Sequence, residues 1–203
     1  MPDLNQDNSF VRSYLKTWIK NLVQTYNFDG IRIDTIPEVP KNFWKEYAES
    51  SGVFQMGECF NGNSNYVGDY QNYVEGLFNY PMYYTIRDVF QHGQSMKRIT
   101  QRWAEEESKF RDIDALGIFV DNHDNPRFLN GNGNPKLFKS ALAFALTARG
   151  IPFYYYGSEQ GFNGAADPYN REAMFSRFDK THDIYQFTSK IMKARKSHDV
   201  ASH

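Results

Sequence analysis

Three carboxylates stand where apolar segments of this chain give out. Asp34 closes Gly30-Ile31-Arg32-Ile33-Asp34, Glu58 follows Val53-Phe54-Gln55-Met56-Gly57, and Asp124 lies in Asp121-Asn122-His123-Asp124-Asn125, just after Leu116-Gly117-Ile118-Phe119-Val120. Two carboxyl groups can cleave a glycosidic bond when one protonates the leaving oxygen and the other attacks the sugar, or activates water, from the opposite face. A retaining pair needs them about 5 to 5.5 Å apart, a spacing that adjacent strands ending in Asp34 and Glu58 would allow. Arg32 precedes Asp34 by two residues on the same strand face, so its guanidinium would favour an ionised Asp34. Glu58 has the opposite need, and crowding by Asp34 and Asp124 would help it keep its proton.

Each residue alone has a plainer reading. Arg32 and Asp34 fit a structural ion pair, a glutamate after a strand is commonly solvated, and His123 beside Asp124 fits a turn or a pair of metal ligands. Their joint placement at the ends of successive strands favours chemistry. A metal hydrolase is the weakest alternative, because His92, His182, His198 and His203 have no ligand-like spacing.

Such residues need a scaffold, and the periodicity supplies one. Val11, Tyr14, Leu15, Trp18, Ile19, Leu22 and Val23 recur at helical spacing over 10–26, with Asn8 or Ser9 as cap. A strand at 28–34, a helix at 43–49 and a strand at 53–58 follow. The stretch 73–80 reads as a further strand stopped by Pro81. A helix is expected over 95–110, with Met96, Ile99 and Trp103 inward and Lys97, Arg98, Glu105 and Glu106 in solvent. The continuous apolar run 116–120 suits a buried parallel strand, and a helix at 135–149, a strand at 151–156 and a helix at 184–196 complete the pattern. Five strands alternating with helices predict an α/β fold with a parallel sheet, either open and doubly wound or closed as a barrel, with sites at the strands' C-terminal ends. No glycine-rich phosphate loop follows the first strand, which favours the barrel.

Composition removes other classes of function. The 203 residues carry a formal charge of -1 without runs of Lys and Arg, so no nucleic-acid surface is expected. No apolar run reaches the roughly 18 residues of a membrane span, and residues 1–7 lack the features of a signal peptide. The one cysteine, Cys59, can form neither an internal disulfide nor a cysteine-based zinc site. Aromatic residues make up 17% of the chain, and core packing explains them more simply than sugar-stacking platforms do.

Gly30-Ile31-Arg32-Ile33-Asp34, Gly57-Glu58 and Phe119-Val120-Asp121-Asn122-His123-Asp124-Asn125-Pro126-Arg127-Phe128 resemble three signature segments of the α-amylase family, in that family's order. Met1-Pro2-Asp3-Leu4-Asn5 resembles the segment leading into the helix before the fourth barrel strand, and 150–160 resembles the eighth strand with its loop. Tyr70-Gln71-Asn72, Asn79-Tyr80-Pro81 and Asp167-Pro168-Tyr169-Asn170-Arg171-Glu172 are similar in texture to the fungal-type members. The resemblance implies a partial (β/α)8 TIM barrel, about strands 4 to 8 with their helices. The earlier strands, an inserted calcium-binding domain and a C-terminal β domain are expected to lie outside the chain, which alone should be inactive.

The resemblance also implies roles. Asp34 would be the nucleophile, Glu58 the acid/base and Asp124 the transition-state stabiliser in retaining endo-hydrolysis of α-1,4-glucosidic bonds of starch or glycogen. Arg32 and His123 would contact the sugar at the cleavage point, Gly62 would line the cleft, and Asp167 and Arg171 would hold a more distant glucose. Calcium is implied as well, with the backbone carbonyl of Glu38 as one ligand. The family usually has Lys-His where this chain has Pro37-Glu38, which removes a cationic sugar contact and keeps an α-glucosidase or transglycosylase open. A catalytically silent glucan-binding relative is the other alternative. The sequence does not reveal the compartment, and for the complete protein the resemblance is compatible with secretion or a digestive vacuole.

Overall fold

A computed structural model describes residues 4–198, so Met1, Pro2 and Asp3 of the leading motif, and His203, lie outside the described residues. The chain forms two compact units: residues up to Tyr80 together with Glu106–Leu116, and Pro81–Glu105 together with Gly117 onward. All five strands belong to one sheet, in chain order.

In the first unit, helix α1 (Ser9–Tyr26) begins where the Asn8 side chain accepts from the N–H groups of Phe10 and Val11, as expected from the cap residue. Strands β1 (Gly30–Ile33), β2 (Phe54–Gly57) and β3 (Gly76–Phe78) pair in parallel, with Ile33 opposite Gly57 and Met56 opposite Gly76. Helix α2 (Lys41–Ser51) buries Phe43, Trp44 and Tyr47. Two ties fix α2. Arg12 of α1 grips both oxygens of Glu46 at 3.0 and 2.7 Å, and Trp44 Nε1 donates to the Ile36 carbonyl at 2.9 Å, holding the turn that follows β1.

In the second unit, β4 (Leu116–Ile118), whose first residue belongs to the other unit, pairs in parallel with β5 (Ile151–Pro152), and Phe153 N–H carries the ladder one step further to the Ile118 carbonyl at 2.8 Å. Helix α7 (Pro135–Thr147) starts on the Asn134 cap with Pro135 in the first turn, where a missing N–H costs nothing. Helix α8 (Asp183–Ser197) is capped by His182, and Arg195 donates to the carbonyl of Leu146 at 3.0 Å, one that the end of α7 leaves open, and to that of Gly150 in the following loop at 3.1 Å. No helix among the described residues is long and apolar enough to cross a membrane.

Several expectations need correction. The strand expected over 73–80 is only β3, preceded by a 3-10 turn (Tyr70–Asn72). Pro81 does not stop it but sits in the first turn of helix α4 (Tyr80–Ile86), where proline is tolerated. That helix continues as a π-helical turn, Arg87–Gln91, which was not expected at all. Strand 151–156 shrinks to the two residues of β5. Around helix α5 (Lys97–Lys109), Ile99 is buried and Lys97 and Arg98 are exposed as expected, but Met96 just before it is exposed, and Glu106 is buried, where Asn79 Nδ2 donates to its Oε2 at 3.0 Å. In α1, only Ile19 and Val23 are buried, whereas Phe10, Tyr14, Trp18 and Tyr26 of the expected inner face and its flanks are exposed.

That aromatic face and the edge of β1 leave apolar surface and backbone groups free to associate. The 203-residue chain alone should therefore run above its 23.7 kDa monomer mass in size-exclusion chromatography with light scattering. Tyr14→Lys with Trp18→Lys should return it toward the monomer. A monodisperse monomer from the unmodified chain would refute the expectation.

Candidate active site

The strand ends of the first unit bring Arg32, Asp34 and Glu58 together. The β1–β2 ladder runs past both strands: Glu58 N–H donates to the Ile33 carbonyl at 2.8 Å, and the Glu58 carbonyl accepts from Ile36 N–H at 2.9 Å. A regular parallel register would use Thr35 N–H for the second bond. Asp34 and Thr35 thus stand opposite the single residue Glu58, the count of a β-bulge, and Thr35 takes the left-handed conformation at φ 46°, ψ 50°. For a β-branched residue that is a strained backbone. Gly57 lets Ile36 pack close, since a Cβ at that position would come within 2.8 Å of Ile36 Cδ1, which would have to move.

Arg32 bridges the two carboxylates, with one guanidinium nitrogen 2.7 Å from Asp34 Oδ1 and the other 3.2 Å from Glu58 Oε2. The environments of the acids differ sharply: the Asp34 side chain is 70% exposed and that of Glu58 only 9%. A hydrogen bond with Glu58 lowers the pKa of Asp34, helped by Arg32 and opposed by partial desolvation. Burial raises that of Glu58, followed by the hydrogen bond with Asp34, while Tyr80 and Arg32 pull it down. Burial, ahead of the neighbouring Asp34 to which the sequence points, is the first cause of the rise at Glu58. Tyr80, at the start of α4 and itself buried, donates its hydroxyl to Glu58 Oε1 at 3.0 Å and packs on Phe60 at 4.5 Å between ring centroids.

The second unit gathers His123, Asp124, Asp167 and Arg171. His123 Nε2 lies 3.3 Å from Asp124 Oδ2, Arg171 Nε 2.7 Å from Asp167 Oδ1, and an Arg171 terminal nitrogen 3.9 Å from Asp124 Oδ1. Arg171 Nε also donates to the His123 carbonyl at 3.4 Å. Beneath them, fully buried Asp121 accepts from Phe128 N–H, Arg87 and Ser158 at 2.7, 3.1 and 3.1 Å. Desolvation raises the pKa of Asp121, and Arg87 opposes that first.

Two further expected site residues lie in turns of the first unit. Gly62 lies in the bend between Glu58 and the Asn63 cap of helix α3 (Ser64–Asp69). Glu38 ends a 3-10 turn, Ile36–Glu38. Among the described residues no three His, Cys, Asp or Glu side chains are grouped as a metal site of such side chains requires. Sequence reasoning missed Tyr80, Arg127, Asn170 and Glu172. Nothing in local spacing announces a tyrosine reaching back 22 positions to Glu58, or an arginine reaching 45 ahead to Glu172.

A family model described as the alpha amylase catalytic domain matches residues 1–202. The beta/alpha-amylase of Paenibacillus polymyxa is 44% identical over 206 residues, which cover 98% of this chain and 17% of that protein. An alpha-amylase structure from Malbranchea cinnamomea superposes with a TM-score of 0.94 at 34% identity, over 100% of this chain and 43% of that one. An alpha-amylase from Geobacillus thermoleovorans, complexed with acarbose, gives 0.92 at 32% identity, over 99% and 48%. The chain thus spans less than half the length of these relatives. Its parallel α/β fold is part of a (β/α)8 barrel.

The Tyr80 contact yields a signed prediction. A hydroxyl that donates to the ionised carboxylate favours ionisation, so Tyr80→Phe, which keeps the ring and removes the donor, should raise the pKa of Glu58. Carbon-13 NMR titration of the Glu58 carboxyl in variant and parent measures it. An unchanged or lower value would show that the contact does not act on the proton.

Proposed function

The chain belongs to the alpha-amylase family, and on that footing we propose that it carries catalytic carboxylates of an endo-acting, retaining hydrolase of α-1,4-glucosidic bonds. One observation carries the reading: Asp34 and Glu58, bridged by Arg32, have pKa values moved in opposite directions. Pairs of acids whose environments separate them in this way divide the roles of acid and nucleophile.

Glu58 protonates the leaving glycosidic oxygen while Asp34 attacks the anomeric carbon to form a β-glycosyl ester. Glu58, now ionised, then takes a proton from water as the water cleaves the ester, which restores both groups. Arg32 keeps Asp34 ionised and contacts the sugar beside it. Asp124 and His123 bind sugar hydroxyls and stabilise the oxocarbenium-like transition state, Gly62 lines the cleft, and Asp167 with Arg171 holds a glucose further along. The relatives' name, alpha-amylase, supports an α-glucan as substrate. Calcium rests on the resemblance alone, with the Glu38 carbonyl as one donor of an incomplete set, and no step runs through it.

Glu58→Gln keeps the shape of the side chain and removes its acid function. In the complete protein it should lower kcat/KM on soluble starch by roughly 100- to 10,000-fold. Maltooligosaccharide affinity, measured by calorimetry, should be close to that of the parent. If most of the reducing-sugar release survives, a different group is the acid.

A further inference from the structure

The segment 163–172 is closed on itself and on the turn that carries Asp124. Glu172 Oε1 accepts from the N–H groups of Asn163 and Gly164 at 3.0 and 2.7 Å. A Cβ on Gly164 would fall 2.0 Å from the Tyr169 carbonyl oxygen, so only glycine admits this approach of backbone to backbone. Glu172 Oε2 lies 2.6 Å from Nε of Arg127, which is fully buried, its guanidinium 4.3 Å from the Tyr155 ring centroid and 5.3 Å from those of Tyr156 and Phe162.

At the centre is Asn170, also fully buried. Its Nδ2 donates to the carbonyls of His123 at 2.8 Å and Asn125 at 2.9 Å, the residues on either side of Asp124. Two carbonyl oxygens can only accept, so the side chain must turn its NH2 toward them. The backbone carbonyl of Asn170 accepts in turn from Arg127 Nε at 3.1 Å and the Tyr155 hydroxyl at 3.3 Å. On the other side of the turn, Asn122 Oδ1 accepts from the N–H groups of Asp124 and Asn125 at 3.3 and 3.1 Å. The peptide of Asp124 is therefore suspended between two side-chain amides. Among the described residues its carboxylate meets charged partners only at 3.3 Å, His123, and 3.9 Å, Arg171, so its aim is set chiefly through the backbone.

We propose that Asn170 is a positioning residue for Asp124, holding the carbonyls that flank it, and that Arg127 and Glu172 lock Asn170 in place for this task. The proposal rests on the reading of Asp124 as the transition-state stabiliser. The same lock ties the placement of Asp124 to that of Asp167 and Arg171, so that one rigid loop sets the stabiliser and the more distant sugar contact together.

A double-mutant cycle in the complete protein tests it. Asn170→Ala should lower kcat on maltooligosaccharides by about 10- to 100-fold, as misplacement of a reacting group by about 1 Å does, with KM little changed. In an Asp124→Asn background the same substitution should cost less than about twofold, because residues acting as a unit are not additive. If the loss is the same in both backgrounds, Asn170 does not act through Asp124 and the proposal falls. If Asp124→Asn alone leaves kcat near the parent value, it is the reading of Asp124 that falls. Thermal melting checks that each variant folds. If the alanine variant does not, Asn170→Ser, whose hydroxyl can donate to one of the two carbonyls, is judged by the same criteria.

Discussion

Two main-chain hydrogen bonds at Glu58, to the Ile33 carbonyl at 2.8 Å and from Ile36 N–H at 2.9 Å, are what the first site depends on. They leave two residues opposite one and drive Thr35 into a conformation that costs on the order of 1 to 3 kcal/mol for a side-chain-bearing residue. Strain of that size persists only where the surroundings impose it. Here the Trp44 indole holds the Ile36 carbonyl, Ile36 packs fully buried against Gly57, and Thr35 N–H reaches Glu58 Oε2 at 3.4 Å. The reward is positional: Asp34 is released from the ladder beside a glutamate that remains in it.

The electrostatic division follows from that placement. Glu58 sits in the ladder, where the first unit's packing removes water, and Asp34 sits beyond it in solvent. Arg32 touches both and so cannot by itself distinguish them. Desolvation does that, disfavouring charge on the buried member and leaving the exposed one ionised. Tyr80 moderates the effect by donating to Glu58, which holds the acid short of the pKa that burial alone would give it.

How much of this the sequence shows depends on the range of the interaction. The Asn8 cap and the spans of α1, α2, α7 and α8 were legible because they rest on periodicity and caps within a few residues. Asp34, Glu58 and Asp124 stood out as candidates because they lie at or just beyond the ends of apolar runs. The helix that Tyr80 begins was not: a tyrosine-rich run ahead of a proline reads equally well as a strand, and tertiary burial of Met82, Tyr83 and Ile86 decided for the helix. Glu106 and Asn170 could not be read either, since each is made burial-tolerant by a partner more than 25 positions away, Asn79 for one and the His123 carbonyl for the other. The exposed aromatic face of α1 looked like core because periodicity marks a stripe and not what covers it.

In the proposed reaction Asp34 attacks the sugar and Glu58 serves it in two successive displacements. Proton NMR of the anomer first released from a maltooligosaccharide by the complete protein, read before mutarotation, tests this most directly. Two displacements preserve configuration, so the account predicts the α-anomer first. The β-anomer as first product would mean a single displacement by water and would contradict it.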